Sequence, residues 1–298
     1  MRIQTYKTRL ALKSNFVYTQ VTKLTCGIIL ILLPLITIIN TNNLYGRQQS
    51  VRIALAQIFC LDGDRSGNFV RIENAIIEAK EKGAELVCFP ETSVLGWVNP
   101  DAHQRANPIP GDDSERLCEL AKKYTISLCI GLAEKENEKL FDSAILIDND
   151  GNVLLKHRKM NILKKLMTPP YTPGEEVNVV KTKFGKIGIL ICADSFKSEI
   201  LNQMKDLKPD LVLIPYGWAY EEEGWPAHAK KLSETVQNAA RKIGAPVIGT
   251  DLVGEISHGP WTGQVYGGSS IASDKNGNII ATGKDRDRDI VVTTITFK

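Results

Sequence analysis

Three ionisable side chains each follow a short apolar or hairpin segment, and their types suggest one shared chemistry. Cys192 ends an apolar run, Glu91 comes just after another, and Lys159 lies where a hairpin runs out into basic residues. A thiol near neutral pH is mostly protonated, since its unperturbed pKa is roughly 8.5, so it becomes a nucleophile only beside a base or a cation. A carboxylate supplies the base and an ammonium the cation. Together the three groups predict acyl transfer through a thiol.

The segments that carry these groups alternate with helical patterns along the chain. The predicted strands are residues 51–58, 86–89, 127–131, 144–147, 153–155, 186–191, 211–214, 246–249 and 290–296, with a further hairpin over 271–283. The predicted helices are residues 68–82, 114–124, 196–205 and 227–243. Strands joined by helical crossovers indicate an α/β fold, and the hairpin turns favour a mixed sheet over a purely parallel one.

The order of the motifs resembles that of the nitrilase superfamily of carbon–nitrogen hydrolases, over residues 51–298. The matching segments are Ala54-Leu-Ala-Gln57, Phe89-Pro-Glu91, Arg158-Lys159, Tyr171-Thr-Pro-Gly174, Ile191-Cys-Ala-Asp194 and Tyr266-Gly-Gly-Ser269. The resemblance implies a four-layer α-β-β-α sandwich in one domain, paired into a homodimer or higher homo-oligomer through its helical faces. It also makes Glu91 the general base and selects Lys159 over its neighbour Lys156.

The reaction that this resemblance implies is hydrolysis of a small linear amide or an N-carbamoyl compound. Glu91 deprotonates Cys192, whose thiolate attacks the amide carbon, while Lys159 and the backbone N–H of Ala193 stabilise the oxyanion. Nitrile hydrolysis or acyl transfer by the same three groups stays open, as does an exported binding protein that has lost activity. The four histidines show no metal-ligand spacing, so we expect no metal and no cofactor.

A further set of residues is expected around the substrate. Tyr216 and Trp218 follow a predicted strand and are expected to line the substrate pocket, with ordinary core packing as the alternative. Members of the superfamily often carry a second glutamate just before the aromatic-Thr-Pro-Gly segment. Aligned without a gap, that position is Met167. The loop is rearranged, or the enzyme works without this carboxylate, or its activity is reduced.

The composition is that of a globular protein, with 43% hydrophobic and 24% charged residues in a chain of 298. The net charge of +3 decides little, but the lack of RNA-reading motifs and a pI of only about 8.4 argue against a nucleic-acid partner. The sequence contains no Cys-x-x-Cys pair, so a disulfide framework is not indicated.

Residues 1–46 are predicted to be an export signal or signal-anchor, and residues 47–298 the hydrolase domain. Basic residues precede an uncharged stretch over 24–46, which is the order of an export signal. Its apolar centre, 26–39, is short against the ~20 residues of a confident membrane span, which favours a signal over a stable anchor. We therefore expect a periplasmic, extracellular or membrane-tethered protein, or a cytoplasmic one if the first residues are a start-site artefact.

Overall fold

The computed structural model describes residues 49–297, in which strands and helices alternate as expected. The strands are β1 (Gln49–Gln57), β2 (Leu86–Cys88), β3 (Ser127–Glu136), β4 (Lys139–Ile147), β5 (Val153–Arg158), β6 (Val179–Thr182), β7 (Gly185–Ile189), β8 (Leu211–Pro215), β9 (Ala219–Tyr220), β10 (Val247–Thr250), β11 (Val253–Glu255), β12 (Val265–Gly267), β13 (Ile271–Ser273), β14 (Ile279–Thr282) and β15 (Asp289–Phe297). The helices are α1 (Arg65–Glu81), α2 (Ala102–Arg105), α3 (Asp112–Tyr124), α4 (Ser198–Asp206) and α5 (Trp225–Ile243), with 3-10 turns at Cys192–Phe196 and Glu222–Gly224.

The strands form two six-stranded sheets built on one plan, and a small three-stranded sheet. The first sheet has the order β15-β1-β2-β3-β4-β5 and the second β14-β13-β10-β8-β7-β6, while β11, β12 and β9 form the small sheet. In the first sheet β1, β2 and β3 are parallel, and in the second β7, β8 and β10 are parallel. The remaining strand pairs of these two sheets are antiparallel. Both large sheets are therefore mixed, as the hairpin turns predict.

Alternating side chains on β1 show why the sheets stack. Val51, Ile53 and Leu55 are buried in one apolar cluster with strands of the second sheet, whereas Ala54 and Ala56 belong to a cluster with α1 and α3. Successive side chains of a strand point to opposite faces, so both faces of this sheet are covered. Helices α4 and α5 pack into the cluster of the second sheet. The layers are α-β-β-α, which confirms the predicted sandwich.

Two differences from the predicted elements affect the site. Strand β4 begins at Lys139 rather than at Ala144, which places Asp142 inside the strand. Residues 192–196 form a 3-10 turn, and the helix predicted from Phe196 begins only at Ser198. The leader predicted over residues 1–46 lies outside the described residues. Between residues 49 and 297, the chain contains no helix with both the length and the apolarity to cross a bilayer.

Candidate active site

Cys192 lies three residues beyond the buried end of β7, where the chain turns sharply. Its φ of +39° is in the left-handed region, which non-glycine residues rarely adopt. Strained backbone of this kind clusters at functional sites, because the surrounding structure must hold it in place. The residue is only 4% exposed. The turn therefore presents a buried thiol in one fixed orientation.

The carboxylate of Asp194 holds this turn against the segment after Lys159. Its Oδ2 accepts from the N–H of Ile191 at 3.0 Å, and its Oδ1 accepts from the N–H groups of Met160 and Asn161 at 2.9 and 2.8 Å. Burial opposes ionisation, but the hydrogen bond and charge of His157, 2.8 Å away, and the backbone donors outweigh it and keep the pKa of Asp194 below its usual value. The nucleophile turn of one sheet is thus fixed to the lysine segment of the other.

Glu91 is fully buried just after β2, and donors from three directions orient its carboxylate. Its Oε1 accepts from Lys159 Nζ and from Trp97 Nε1, the latter at 3.1 Å, and its Oε2 accepts from the Gly217 N–H at 2.7 Å. Strand β3 must approach this backbone closely. A Cβ at Gly131 would lie 2.6 Å from Glu91 Cα, so the position needs glycine.

Lys159 lies between two carboxylates and is 5% exposed. Its Nζ donates to Glu91 Oε1 and, at 3.0 Å, to Asp142 Oδ2. Burial alone would lower the pKa of the ammonium, but the charges of Asp142 and Glu91 outweigh it and hold that pKa well above its usual value. Burial and the charge of Glu91 raise the pKa of Asp142. The lysine is therefore a cation throughout the neutral range.

Unlike Lys159, whose charged form is stabilised, Cys192 has a thiol whose uncharged form is favoured. Burial first, and then the charge of Glu91, raise its pKa well above the usual value, although Lys159 and the Gly217 N–H act in the other direction. The resting site thus holds a neutral thiol rather than a preformed thiolate. Nucleophilic attack then requires a base that takes the proton as the bond forms, and Glu91 is the carboxylate whose charge reaches the thiol most strongly.

A small cavity of about 20 Å³ adjoins the ammonium of Lys159. Its wall is formed by Trp97, Val98, Asp142, Lys159, Ile162, Leu163, Leu166, Met167, Pro170 and Tyr171. Most of these side chains are apolar. Within residues 49–297, the buried Tyr171 hydroxyl and Asp142 Oδ1 have no hydrogen-bond partner. Such a cavity has room for a small group beside Lys159, with two polar atoms left to orient it.

The three residues predicted around the substrate have different positions. Ala193 is buried in the turn beside Cys192, and its role as an oxyanion donor stays a prediction. The fully buried Tyr216 hydroxyl lies 2.9 Å from Ser195 Oγ, and Trp218 lines a separate cleft along α5. The aromatic side chains are therefore packed away from the cavity beside Lys159. The segment reaches the site instead through the backbone N–H of Gly217.

Asp142 is the site residue that the sequence reasoning missed. A signal was present, because a lone carboxylate stands in the otherwise uncharged run of residues 140–147. A charged side chain in a buried strand needs a partner of opposite charge. The predicted strand began two residues too late to include it.

Comparison with known proteins identifies the family of this chain. Residues 52–298 match the model of the carbon–nitrogen hydrolase family, so the chain belongs to that family. This match confirms the superfamily that the order of the motifs predicts.

Relatives of known activity include three amidases. The chain is 30% identical to the omega-amidase of Xenopus tropicalis, over 59% of this chain and 66% of that protein. It is 25% identical to the (R)-stereoselective amidase of a Pseudomonas species, over 81% and 84% of the two chains. It is 27% identical to the N-carbamoylputrescine amidase of Arabidopsis thaliana, over 83% and 87%.

Solved structures support the fold. The amidase of a Nesterenkonia species superposes with a TM-score of 0.74 at 23% identity, covering 84% of this chain and 92% of that one. A mutant of the same amidase, with a TM-score of 0.73 at 22% identity and the same coverage, carries the acetamide moiety of fluoroacetamide on its active-site cysteine.

The electrostatics of the thiol give a testable prediction. Glu91→Gln removes the charge that raises the Cys192 pKa and leaves the ammonium that lowers it, so more thiolate forms at a given pH. The pH midpoint for alkylation of Cys192 by iodoacetamide should therefore fall. Peptide mass mapping of the full chain measures the rate at this residue alone. Glu136→Gln, at an exposed glutamate, is the matched control and should leave the midpoint unchanged. An unchanged or higher midpoint in Glu91→Gln would contradict the arrangement.

Proposed function

We propose that this protein hydrolyses the carbon–nitrogen bond of small linear amides through a thioester on Cys192. One observation gives this proposal its main support. A buried thiol with a raised pKa lies within the electrostatic reach of a buried carboxylate and a buried ammonium that contact each other. This arrangement is suited to attack on a carbonyl carbon with simultaneous removal of the thiol proton.

The first half of the reaction forms the thioester. As Cys192 Sγ bonds to the amide carbon, its proton moves to Glu91 and the carbonyl oxygen becomes an oxyanion. The Lys159 ammonium and the Ala193 N–H stabilise this oxyanion, a contribution of roughly 2.7–4 kcal/mol per donor in well-studied cases. The C–N bond then breaks, and Glu91 returns the proton to the departing nitrogen. Ammonia or an amine leaves, and the acyl group stays on sulfur.

The second half regenerates the enzyme. Glu91, again a carboxylate, removes a proton from water as the water oxygen attacks the thioester carbon. The same two donors stabilise the second oxyanion. When the C–S bond breaks, the sulfur takes the proton from Glu91, and a carboxylic acid is released. In both halves the base, the nucleophile and the oxyanion donors come from the chain, and water is the second reactant.

The cavity supports a substrate with a short, neutral acyl group. Its small volume of about 20 Å³ limits the size of the group, and its mainly apolar wall suits a neutral group better than a charged one. Of the described residues in that wall, Lys159 is the one cation, and two carboxylates already neutralise it. A substrate that carries a second carboxylate would therefore lack a counter-charge at this wall.

We also propose that residues 1–46 direct export, with the leader either cleaved or kept as a membrane tether, and that the hydrolase domain acts as a homodimer. Support for export comes from the basic-then-apolar order of the leader. Support for the dimer comes from the superfamily resemblance.

Ammonia release tests the proposed reaction. The full chain should release ammonia from short aliphatic amides, and should act more slowly on ω-amides that carry a carboxylate. Cys192→Ala should abolish release, since the nucleophile is gone, and Cys118→Ala, at a cysteine away from the site, is the matched control. Nitriles and N-carbamoyl amines complete the panel. Turnover that persists in Cys192→Ala would contradict the thiol mechanism. A preference for anionic ω-amides would contradict the proposal that the cavity accepts a neutral acyl group.

Export is tested by a fusion of residues 1–46 to alkaline phosphatase, which is active only outside the reducing cytoplasm. The fusion expressed in a bacterium should be active, because the leader carries the enzyme across the membrane. The same phosphatase without residues 1–46 is the control and should be inactive. An inactive fusion that is nevertheless produced at normal levels would argue for a cytoplasmic protein.

A further inference from the structure

A second carboxylate contacts the catalytic lysine from an unexpected direction. Strand β4 pairs antiparallel with β5, and where this pairing ends the Lys159 N–H donates to the Asp142 carbonyl at 2.8 Å. The side chains meet as well, with Lys159 Nζ 3.0 Å from Asp142 Oδ2. The side chain of Asp142 is only 1% exposed. Backbone register and an ion pair therefore fix the same two residues together.

The position at which the superfamily often has its second glutamate lies in the same cavity wall. Met167 is 2% exposed and lines the cavity with Asp142 and Lys159. An apolar side chain thus stands where a carboxylate is usual, while a carboxylate on β4 contacts the lysine. We propose that Asp142 is a positioning residue for Lys159 and takes over the role of the carboxylate absent at Met167. This inference rests on the proposed amide hydrolysis.

The reaction itself explains why the lysine needs two carboxylates. Glu91 serves as the base, so its negative charge disappears each time it takes a proton. During that interval a lysine paired with Glu91 alone would be a buried cation without a protein counter-charge, which is costly. Asp142 is not part of the proton transfer and keeps its contact with Lys159 Nζ. It therefore holds the ammonium in place at the step in which the oxyanion forms.

The electrostatics of the cluster agree with this division of roles. The charge of Glu91 is one cause of the raised pKa of Asp142, after burial. When Glu91 takes the thiol proton, that repulsion disappears and the charged form of Asp142 is favoured. An ammonium has three protons to donate, and two are directed at the carboxylates. The third is available to the oxyanion.

Relocating the carboxylate tests this inference. In the full chain, Asp142→Asn should lower kcat for the best amide roughly 10- to 100-fold with a smaller change in KM, because a displaced lysine weakens transition-state stabilisation. Adding Met167→Glu to Asp142→Asn should restore kcat by about tenfold or more, since it returns a carboxylate to the cavity. Asp150→Asn, at an exposed turn aspartate, is the matched control and should match the unsubstituted chain.

Each result decides between outcomes. Unchanged kcat in Asp142→Asn, or no recovery in a folded double variant, overturns the inference while leaving amide hydrolysis intact. Unfolding midpoints in urea verify that each variant folds. If Asp142→Asn does not fold, the double variant alone decides, because it is active if a carboxylate at position 167 can replace the one at 142 and inactive if it cannot. A chain without substitutions that hydrolyses no amide overturns the proposed function, and this inference with it.

Discussion

The burial of one ammonium, that of Lys159, is the constraint on which the site depends. Removing a cation from water costs several kcal/mol unless opposite charges and hydrogen bonds replace the lost solvation. Glu91 from the end of β2 and Asp142 from within β4 supply those charges. Strands β2, β3, β4 and β5 are neighbours in one sheet, so the sheet must hold its register for the cluster to form. The contacts of Lys159 with the two carboxylates therefore depend on the order and register of these strands.

The nucleophile comes from the other sheet, and this division explains how the site is assembled. Cys192 follows a strand of the second sheet, whereas Glu91 and Lys159 follow strands of the first. Asp194 joins the two, because its carboxylate accepts from backbone on both sides. Burial raises the pKa of the thiol and favours its protonated form in the resting site. A thiol of this kind is less exposed to oxidation than a free thiolate, which suits the predicted export to an oxidising compartment.

The sequence predicted what depends on local pattern and missed what depends on contacts between strands. Their positions at predicted strand ends identified Glu91, Lys159 and Cys192 as candidates, and the structure places them together. Asp142 was overlooked, because a strand read from its apolar residues appears to begin only at Ala144. The small sheet of β9, β11 and β12 was also missed, since strands of two or three residues are too short to show a period. The orientation of a loop at a strand end is likewise set by packing between the two sheets. The local sequence therefore does not show which of its residues face the cavity.

If the proposed reaction passes through an acyl group on Cys192, intact-mass spectrometry of a rapidly quenched reaction should detect that group. With a hydrolysable amide, we expect a transient mass increase equal to the acyl group, mapped to the peptide that contains Cys192. Hydroxylamine should remove that group as the hydroxamate, as expected of a thioester. Amide turnover with no adduct on Cys192, under conditions in which hydrolysis of a thioester would be the slow step, would contradict the account.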